Sequence, residues 1–285
     1  MATLIYKKDI SYYEMGSNQP TDKDDGGSPG GEGRPEGVLV SSVAKSIDII
    51  ESLRELREPT VSEVATHLGY SVSSVYKHLA TLEDRGYVVK DDHLYRPSLR
   101  FFEIGSEINR QWLDVYEPAR TALEELAQET GENCWLMIEE QGTGVMVCNV
   151  SGKDALEPGY FYEGKRAELY RSAAGKAILA NLSQDKRNKI IESAEFDKLT
   201  EHTIASRETL RDELEQIRAD GFAVNDEEAQ PNIRALGAPI MDVDNRVLGA
   251  ISISGPTSRI SGEYYETELP EILAEKTNII EIKLL

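Results

Sequence analysis

Apolar residues in Ser71–Gly86 (SVSSVYKHLATLEDRG) fall at Val72, Val75, Leu79 and Leu82, at steps of three, four and three. That spacing predicts a helix with one buried stripe, and Gly86 stands where a C-terminal cap belongs. Facing away from the stripe are Ser73, Ser74, Lys77, His78 and Thr81, a polar and partly basic face with no evident role in folding. Thr60–Leu68 (TVSEVATHL) reads as a shorter helix ended by Gly69. Val43–Leu56 reads as an amphipathic one with Val43, Ile47, Ile50, Leu53 and Leu56 on a common face, stopped by Pro59. After Gly86, Tyr87–Lys90 and His93–Arg96 are β-like runs around an Asp91-Asp92 turn signal, a short hairpin.

Two helices, a tight glycine turn, a helix with a hydrogen-bonding outer face and a hairpin form a winged helix-turn-helix. The second helix of that unit enters the major groove of double-stranded DNA. Early residues of such a helix point at base edges, which nominates Ser71, Ser73, Ser74, Lys77 and His78. The hairpin's Lys90 and Arg96 suit phosphate or the minor groove. Serine hydroxyls serve any base, so no operator sequence follows. The competing reading is a protein-binding module with a solvated polar face.

Leu99–Val115 reads as a linker helix with Phe102, Ile104, Ile108 and Trp112 on an imperfect apolar face, and Pro118–Thr130 as a second helix ended by Gly131. Strand-like runs follow at Cys134–Glu139 and Gly144–Val150, joined by Gln141-Gly142-Thr143, and again at Gly159–Glu163. Ser172 caps a small-residue helix, Ala173–Asn181. Further helices are expected over Asp185–Ser193 and Ser206–Asp220, the latter with a Leu210, Leu214, Ile217 stripe. Phe222–Glu228, Ile233–Met241 and Val247–Ser254 read as strands, and Glu268–Leu284 as a closing helix. Hairpins and helices without βαβ alternation predict an α+β fold with a mostly antiparallel sheet. Met1–Gly37, rich in Gly, Pro, Asp and Ser, is expected to be disordered. The expected organisation is that extension (1–37), a DNA-binding domain (38–98), a linker helix (99–116) and a C-terminal domain (117–285).

The formal net charge of −20 over 285 residues would count against a nucleic-acid partner if it were uniform. Residues 38–98 carry seven basic and nine acidic residues, however, whereas residues 99–285 carry twenty and thirty-five. A nearly balanced reading segment is thus attached to an acidic body. Such acidity is expected of a chain working in a salt-rich, halophilic cytoplasm, where self-repulsion is screened. No apolar run approaches the ~20 residues of a membrane span, and the N-terminus lacks a signal-peptide layout. Cys134 and Cys148 show neither zinc spacing nor a disulfide framework. A cytoplasmic protein without metal or cofactor is therefore expected.

Two stretches could bind a small molecule. In LYRSAAGKAILANL, Ser172 followed by Ala173 and Ala174 leaves helix-start amides uncovered by bulky side chains, a place for a carboxylate. Tight packing through small residues explains the same letters equally well. In VLGAISISGP, Ile251 and Ile253 share one face of a strand while Ser252 and Ser254 share the other, and Asn225 on another strand could join those hydroxyls.

Taken in order after the winged helix-turn-helix, LYRSAAGKAILA, RETLRDELEQIRADGFAVNDEE, IRALGAPIMD and LGAISISGPTSRI resemble the IclR family of transcriptional regulators, from Val38 to the C-terminus. The resemblance implies a GAF-like effector-binding domain and assembly as a homodimer or dimer of dimers through the N-terminal domains. It also implies control of small-carbon catabolism in response to a small organic or sugar acid. Carried over by position, the effector site comprises Ala173, Ala174, Asn225, Ala235, Ser252 and Ser254. Asn225 stands where Asp is common, Ala235 where Cys is common and Asn232 where Gly is frequent. Two rivals remain: a constitutive regulator whose C-terminal domain only oligomerises, and an enzyme. Against the enzyme, no histidine follows Glu201 except His202 and the expected pocket positions hold no cysteine.

Overall fold

The computed structural model describes residues 39–112, 114–157 and 161–285, and gives no side chain for Gln111 or Trp112. The expected disorder over 1–37 lies outside those residues, as does the expected placement of the Trp112 side chain.

The chain begins with α1 (Ser41–Leu56), α2 (Val61–Leu68), α3 (Val72–Asp84) and a hairpin of β1 (Val88–Asp91) and β2 (Leu94–Pro97). Thr60 and Glu63 form a capping box, Thr60 N–H donating to Glu63 Oε2 at 2.7 Å and Glu63 N–H to Thr60 Oγ1 at 3.3 Å. Gly69 then turns left-handed at φ 67° to end α2. Tyr70, in the turn to α3, donates its hydroxyl to Asp48 on α1 at 2.6 Å. Ile49, Leu53, Val64, Val75, Leu79, Val88 and Tyr95 make the small core of this unit. Of the stripe expected on α1, Leu53 is buried and Leu56 packs against this core, whereas Val43 and Ile47 are 56% and 55% exposed and Ile49 and Ser52 face inward in their place. The turn of the hairpin sits at Asp92-His93, one residue later than expected, because Asp92 takes the left-handed φ of 54°.

The helix α4 (Arg100–Trp112) leads into α5 (Tyr116–Thr130). No residue of α4 whose side chain is described is buried, and Phe102 and Ile108 are 75% and 46% exposed. There follow β3 (Asn133–Glu140), β4 (Thr143–Ser151) and β5 (Arg166–Glu168), then α6 (Ala173–Asn181), α7 (Gln184–Ser193) and α8 (Arg207–Asp220). The chain closes with β6 (Ala223–Asp226), β7 (Ile233–Met241), β8 (Val247–Pro256) and α9 (Leu269–Lys283). The strand expected at Gly159–Glu163 is not one over its described part: Phe161–Glu163 is loop and turn, and the edge strand is β5.

All six strands pair antiparallel in the order β5-β4-β3-β8-β7-β6. One face carries α5 and α9 over Leu136, Leu236, Ile251 and Ile253. The other carries α6, α7 and α8 over Met137, Met146 and Ala250. Strand alternation thus sends Ile251 and Ile253 to one side and Ser252 and Ser254 to the other. Every residue from Ala173 to Ala180 is buried. A helix so wrapped can lie against the sheet only through small residues. A Cβ added at Gly237 of β7 would come within 2.6 Å of Ala173 C and Ala174 N.

Candidate effector cavity and DNA-reading face

The antiparallel register lays Asn225, Ala235, Ser254 and Asn133 in one row across β6, β7, β8 and β3. Gly237, Ser252 and Trp135 form the next row. These rows floor a cavity of about 110 Å³, roofed by the start of α6 and walled by Trp135, Met146, Phe161 and Arg171. Of the expected effector residues, Ala173, Asn225, Ala235, Ser252 and Ser254 line it. Ala174 does not: it is 1% exposed and packs into the core beneath the helix.

The polar equipment is sparse and directed. Asn225, 4% exposed, donates Nδ2 to the Arg171 carbonyl at 3.0 Å. That bond leaves its Oδ1 as an acceptor. The described residues contain no buried side-chain nitrogen or oxygen that lacks a partner. Ser252 and Ser254 hydroxyls, which bond to no other described side chain, therefore open on the cavity. Ser172 Oγ accepts from Gly175 N–H at 3.0 Å, satisfying the third amide of α6 and leaving the Ala173 amide for an acceptor in the cavity. Among the described lining residues, Arg171 is the single cation and Glu157 the single anion. Arg171 is tied to Glu168 at 2.5 Å and Asp197 at 3.2 Å. Trp135 and Phe161 meet edge-on, with ring centroids 6.2 Å apart. A face with two hydroxyls, one carboxamide oxygen and a helix-start amide against apolar walls suits a small molecule with an acid group and a hydrogen-bonding tail.

Sequence reasoning missed Trp135, Met146, Phe161 and Arg171. Trp135 and Met146 share the face of Ser252, which only the register reveals. Arg171 was adjacent to the Ser172 cap and could have been read as a cation at the helix mouth.

Behind the roof, Lys176 is fully buried and holds Glu228 with Nζ 2.7 Å and 2.8 Å from its two oxygens, and Glu213 as well. Burial raises the Glu228 carboxyl above its ordinary range, and Lys176 pulls it back in part. Glu228 precedes Ala229 and Gln230, both of which line the cavity. The two cysteines lie elsewhere, in the core under α5, where burial pushes the Cys134 thiol up to about 12.

At the other site, Ser71 caps α3 with Oγ accepting from Ser74 N–H at 3.3 Å. Ser73 and Lys77 are exposed and Ser74 is half-buried. His78, like Ser74, is half-buried, and its Nδ1 lies 2.8 Å from Ser46 Oγ, a contact that braces α3 against α1. Val72, at the first helical position, is 52% exposed and not part of the stripe, and Tyr76 beside it is 54% exposed. Lys90 and Arg96 are both exposed but pair with Tyr95 and Val89 respectively, so they leave the hairpin on opposite faces. The structure does not bring them to one side.

Comparison with known proteins accounts for both parts. The description "IclR helix-turn-helix domain" matches residues 42–92, and "Bacterial transcriptional regulator IclR C-terminal" matches residues 110–281. A probable HTH-type transcriptional regulator, ArcR of Halobacterium salinarum, is 32% identical, over 86% of this chain and 94% of its own length. The crystal structure of Thermotoga maritima IclR aligns with a TM-score of 0.70 and 31% identity, over 86% of this chain and 98% of that one. An IclR homologue from Microbacterium hydrocarbonoxydans, complexed with 4-hydroxybenzoate, aligns with a TM-score of 0.74 at 19% identity, over 85% and 98%. No described helix is long and apolar enough to cross a membrane. Over residues 42–92 and 110–281, from the helix-turn-helix to the sheet that floors the cavity, this chain belongs to the IclR family of transcriptional regulators.

Proposed function

We propose that this regulator reads duplex DNA with α3 and the hairpin, and that a small organic acid in the cavity sets when it does so. The cavity carries the reading: its two hydroxyls, from Ser252 and Ser254, face the amide of Ala173 across a space closed by Trp135 and Phe161. The acid group sits at the start of α6, where amides and the helix dipole favour negative charge. Its remaining atoms meet Ser252, Ser254, Asn225 and Ala235. The volume of about 110 Å³ suits a small acid. Such an acid shares a carboxylate with 4-hydroxybenzoate, with which the Microbacterium homologue is complexed.

Ser71, Ser73, Ser74 and Lys77 face the DNA, with Lys90 or Arg96 on phosphate from whichever side of the hairpin docks. Residues 38–98 act as the DNA-binding domain, residues 99–116 as the linker and residues 117–285 as the sensor. Phe102 and Ile108, uncovered on α4, are where two copies join, giving a homodimer or a dimer of dimers. The ligand acts by binding the DNA-competent and incompetent arrangements with different affinity, since equal affinity would shift nothing. The working compartment is a salt-rich cytoplasm.

A thermal-shift screen with two- to six-carbon acids tests the reading. At least one is expected to raise Tm in a saturable way, and to lose its effect in the Ser252→Ala, Ser254→Ala double variant. No shift with any acid would leave a constitutive regulator whose C-terminal domain only oligomerises.

A further inference from the structure

The outer face of α3 is divided into two rows. Val72, Tyr76 and Ala80, at i, i+4 and i+8, form an apolar row in which all three are exposed, Val72 at 52% and Tyr76 at 54%. Ser73, Lys77 and Thr81 form the polar row beside it, and Thr81 Oγ1 is already spent on the Lys77 carbonyl at 2.8 Å. The face contains no Arg, Asn or Gln, which leaves Lys77 as its one residue of the kind that grips a purine edge through two hydrogen bonds. Val75 and Leu79 already supply the inward packing, so the apolar row serves nothing within the fold. Its position is also unusual for chance exposure, since Val72 continues the buried phase by spacing and is nevertheless turned out at the first helical residue.

On the DNA-reading assignment made above, we infer that Val72, Tyr76 and Ala80 read thymine through its C5-methyl group. The thymine methyl is the one apolar feature that a base edge offers in the major groove, and side-chain methyls are its matching partner. Eight residues of helix cover about 12 Å, roughly the length of three to four base steps. The row therefore spans a short thymine-bearing half-site. Val72 meets the methyl nearest the helix start. The Tyr76 ring covers the next step with its hydroxyl toward the sugar-phosphate, and Ala80 admits close approach at the far end. Lys77, on the adjacent row, supplies a single cation for a guanine edge or a phosphate. Specificity thus rests on burying methyl groups more than on charge, which suits a chain with net charge −20.

The test uses the full-length protein and a duplex from its own promoter region, made once with thymine and once with uracil throughout, which deletes only the methyl groups. A scrambled thymine duplex of the same composition serves as reference in an anisotropy titration. The wild type is expected to prefer the promoter to the scramble, and to lose at least fivefold in affinity when thymine becomes uracil. Val72→Ala and Tyr76→Ala are both exposed-site changes, checked for unchanged Tm, and are expected to bind more weakly while responding to uracil by less than twofold. Equal wild-type affinity for the thymine and uracil promoters would overturn the inference and leave DNA reading intact. So would a uracil effect of the same size in the variants. No preference for the promoter over the scramble would overturn the DNA-reading assignment, and the methyl readout with it.

Discussion

Lys176 bears on the cavity without touching its contents. Its ammonium, with no exposure, lies between Glu228 and Glu213, and Glu228 anchors the loop that presents Ala229 and Gln230 to the cavity. Replacing it by Met leaves two carboxylates without their cation, a change that in buried pairs costs roughly 3–5 kcal/mol. The Lys176→Met protein is expected to melt well below the wild type at pH 7, and the deficit has a definite pH dependence. The folded-state pKa of Glu228 is raised by burial, and loss of Lys176 raises it further. Between its unfolded value and that raised value the native state binds more protons than the unfolded one, so stability rises as pH falls. Melting curves from pH 7.5 to 5 should therefore show the variant recovering relative to the wild type; a gap that widens on acidification would refute the linkage. Nothing in the spacing of Gly175-Lys176 announced this role, because the partners lie 37 and 52 residues along the chain. Asn225, Ser252 and Ser254 could be nominated from strand alternation and the family motifs, whereas Trp135 and Met146 needed the register. The contact of His78 with Ser46 on α1 could not be read from polarity along α3, because its partner lies on another helix.

Elements were easier to read than their faces. Each helix with a clear cap or glycine stop lies where the pattern predicts it, including α2 with its Thr60–Glu63 box and α8 with Gly221 at φ 83°. The stripe of α1 holds at Leu53 and Leu56 and departs in the first half of the helix, where the fit to α2 and α3 buries Ile49 and leaves Val43 and Ile47 exposed. Over Phe161–Glu163, the described part of the strand expected at Gly159–Glu163, the chain is loop and turn because tertiary context overrides the β propensity of Phe161 and Tyr162. The seating of α6 on β7 is the element-level feature on which ligand binding depends, and Gly237 is where they touch. A methyl there would stand 2.6 Å from backbone atoms of Ala173 and Ala174, which cannot yield as a side-chain tip could. Gly237→Ala is expected to cost about 1–3 kcal/mol through overpacking and to lift the start of α6 from the cavity floor. An acid that stabilises the wild type should then give a reduced Tm shift in the variant at equal concentration. An undiminished shift would place the acid away from α6.

At the scale of the whole molecule the question is how a chain with 51 acidic and 31 basic residues approaches a polyanion at all. The answer lies in where the excess sits, −15 over residues 99–285 against −2 over residues 38–98. Salt acts on these two parts in opposite directions. In the acidic body it shortens the reach of self-repulsion, from a Debye length of about 10 Å at 0.1 M to about 3 Å at 1 M, so the melting temperature is expected to climb with KCl over that range. At the DNA it competes with cations for phosphate, by an amount set by how many phosphates the protein neutralises. Lys77, Lys90 and Arg96 are the three cations of the reading helix and hairpin, and two of them leave the hairpin on opposite faces. With at most about three contacts per protomer, log affinity should fall against log salt with a slope no steeper than about −3 per protomer. Methyl burial by Val72 and Ala80 carries no such penalty, so sequence preference should survive at salt concentrations that abolish non-specific binding. Titrations from 0.2 to 2 M KCl decide the matter: a slope steeper than about −6 per protomer would mean that phosphate contacts from elsewhere dominate. A Tm that falls with salt would mean that the acidic surface is held by ion pairs rather than strained by repulsion.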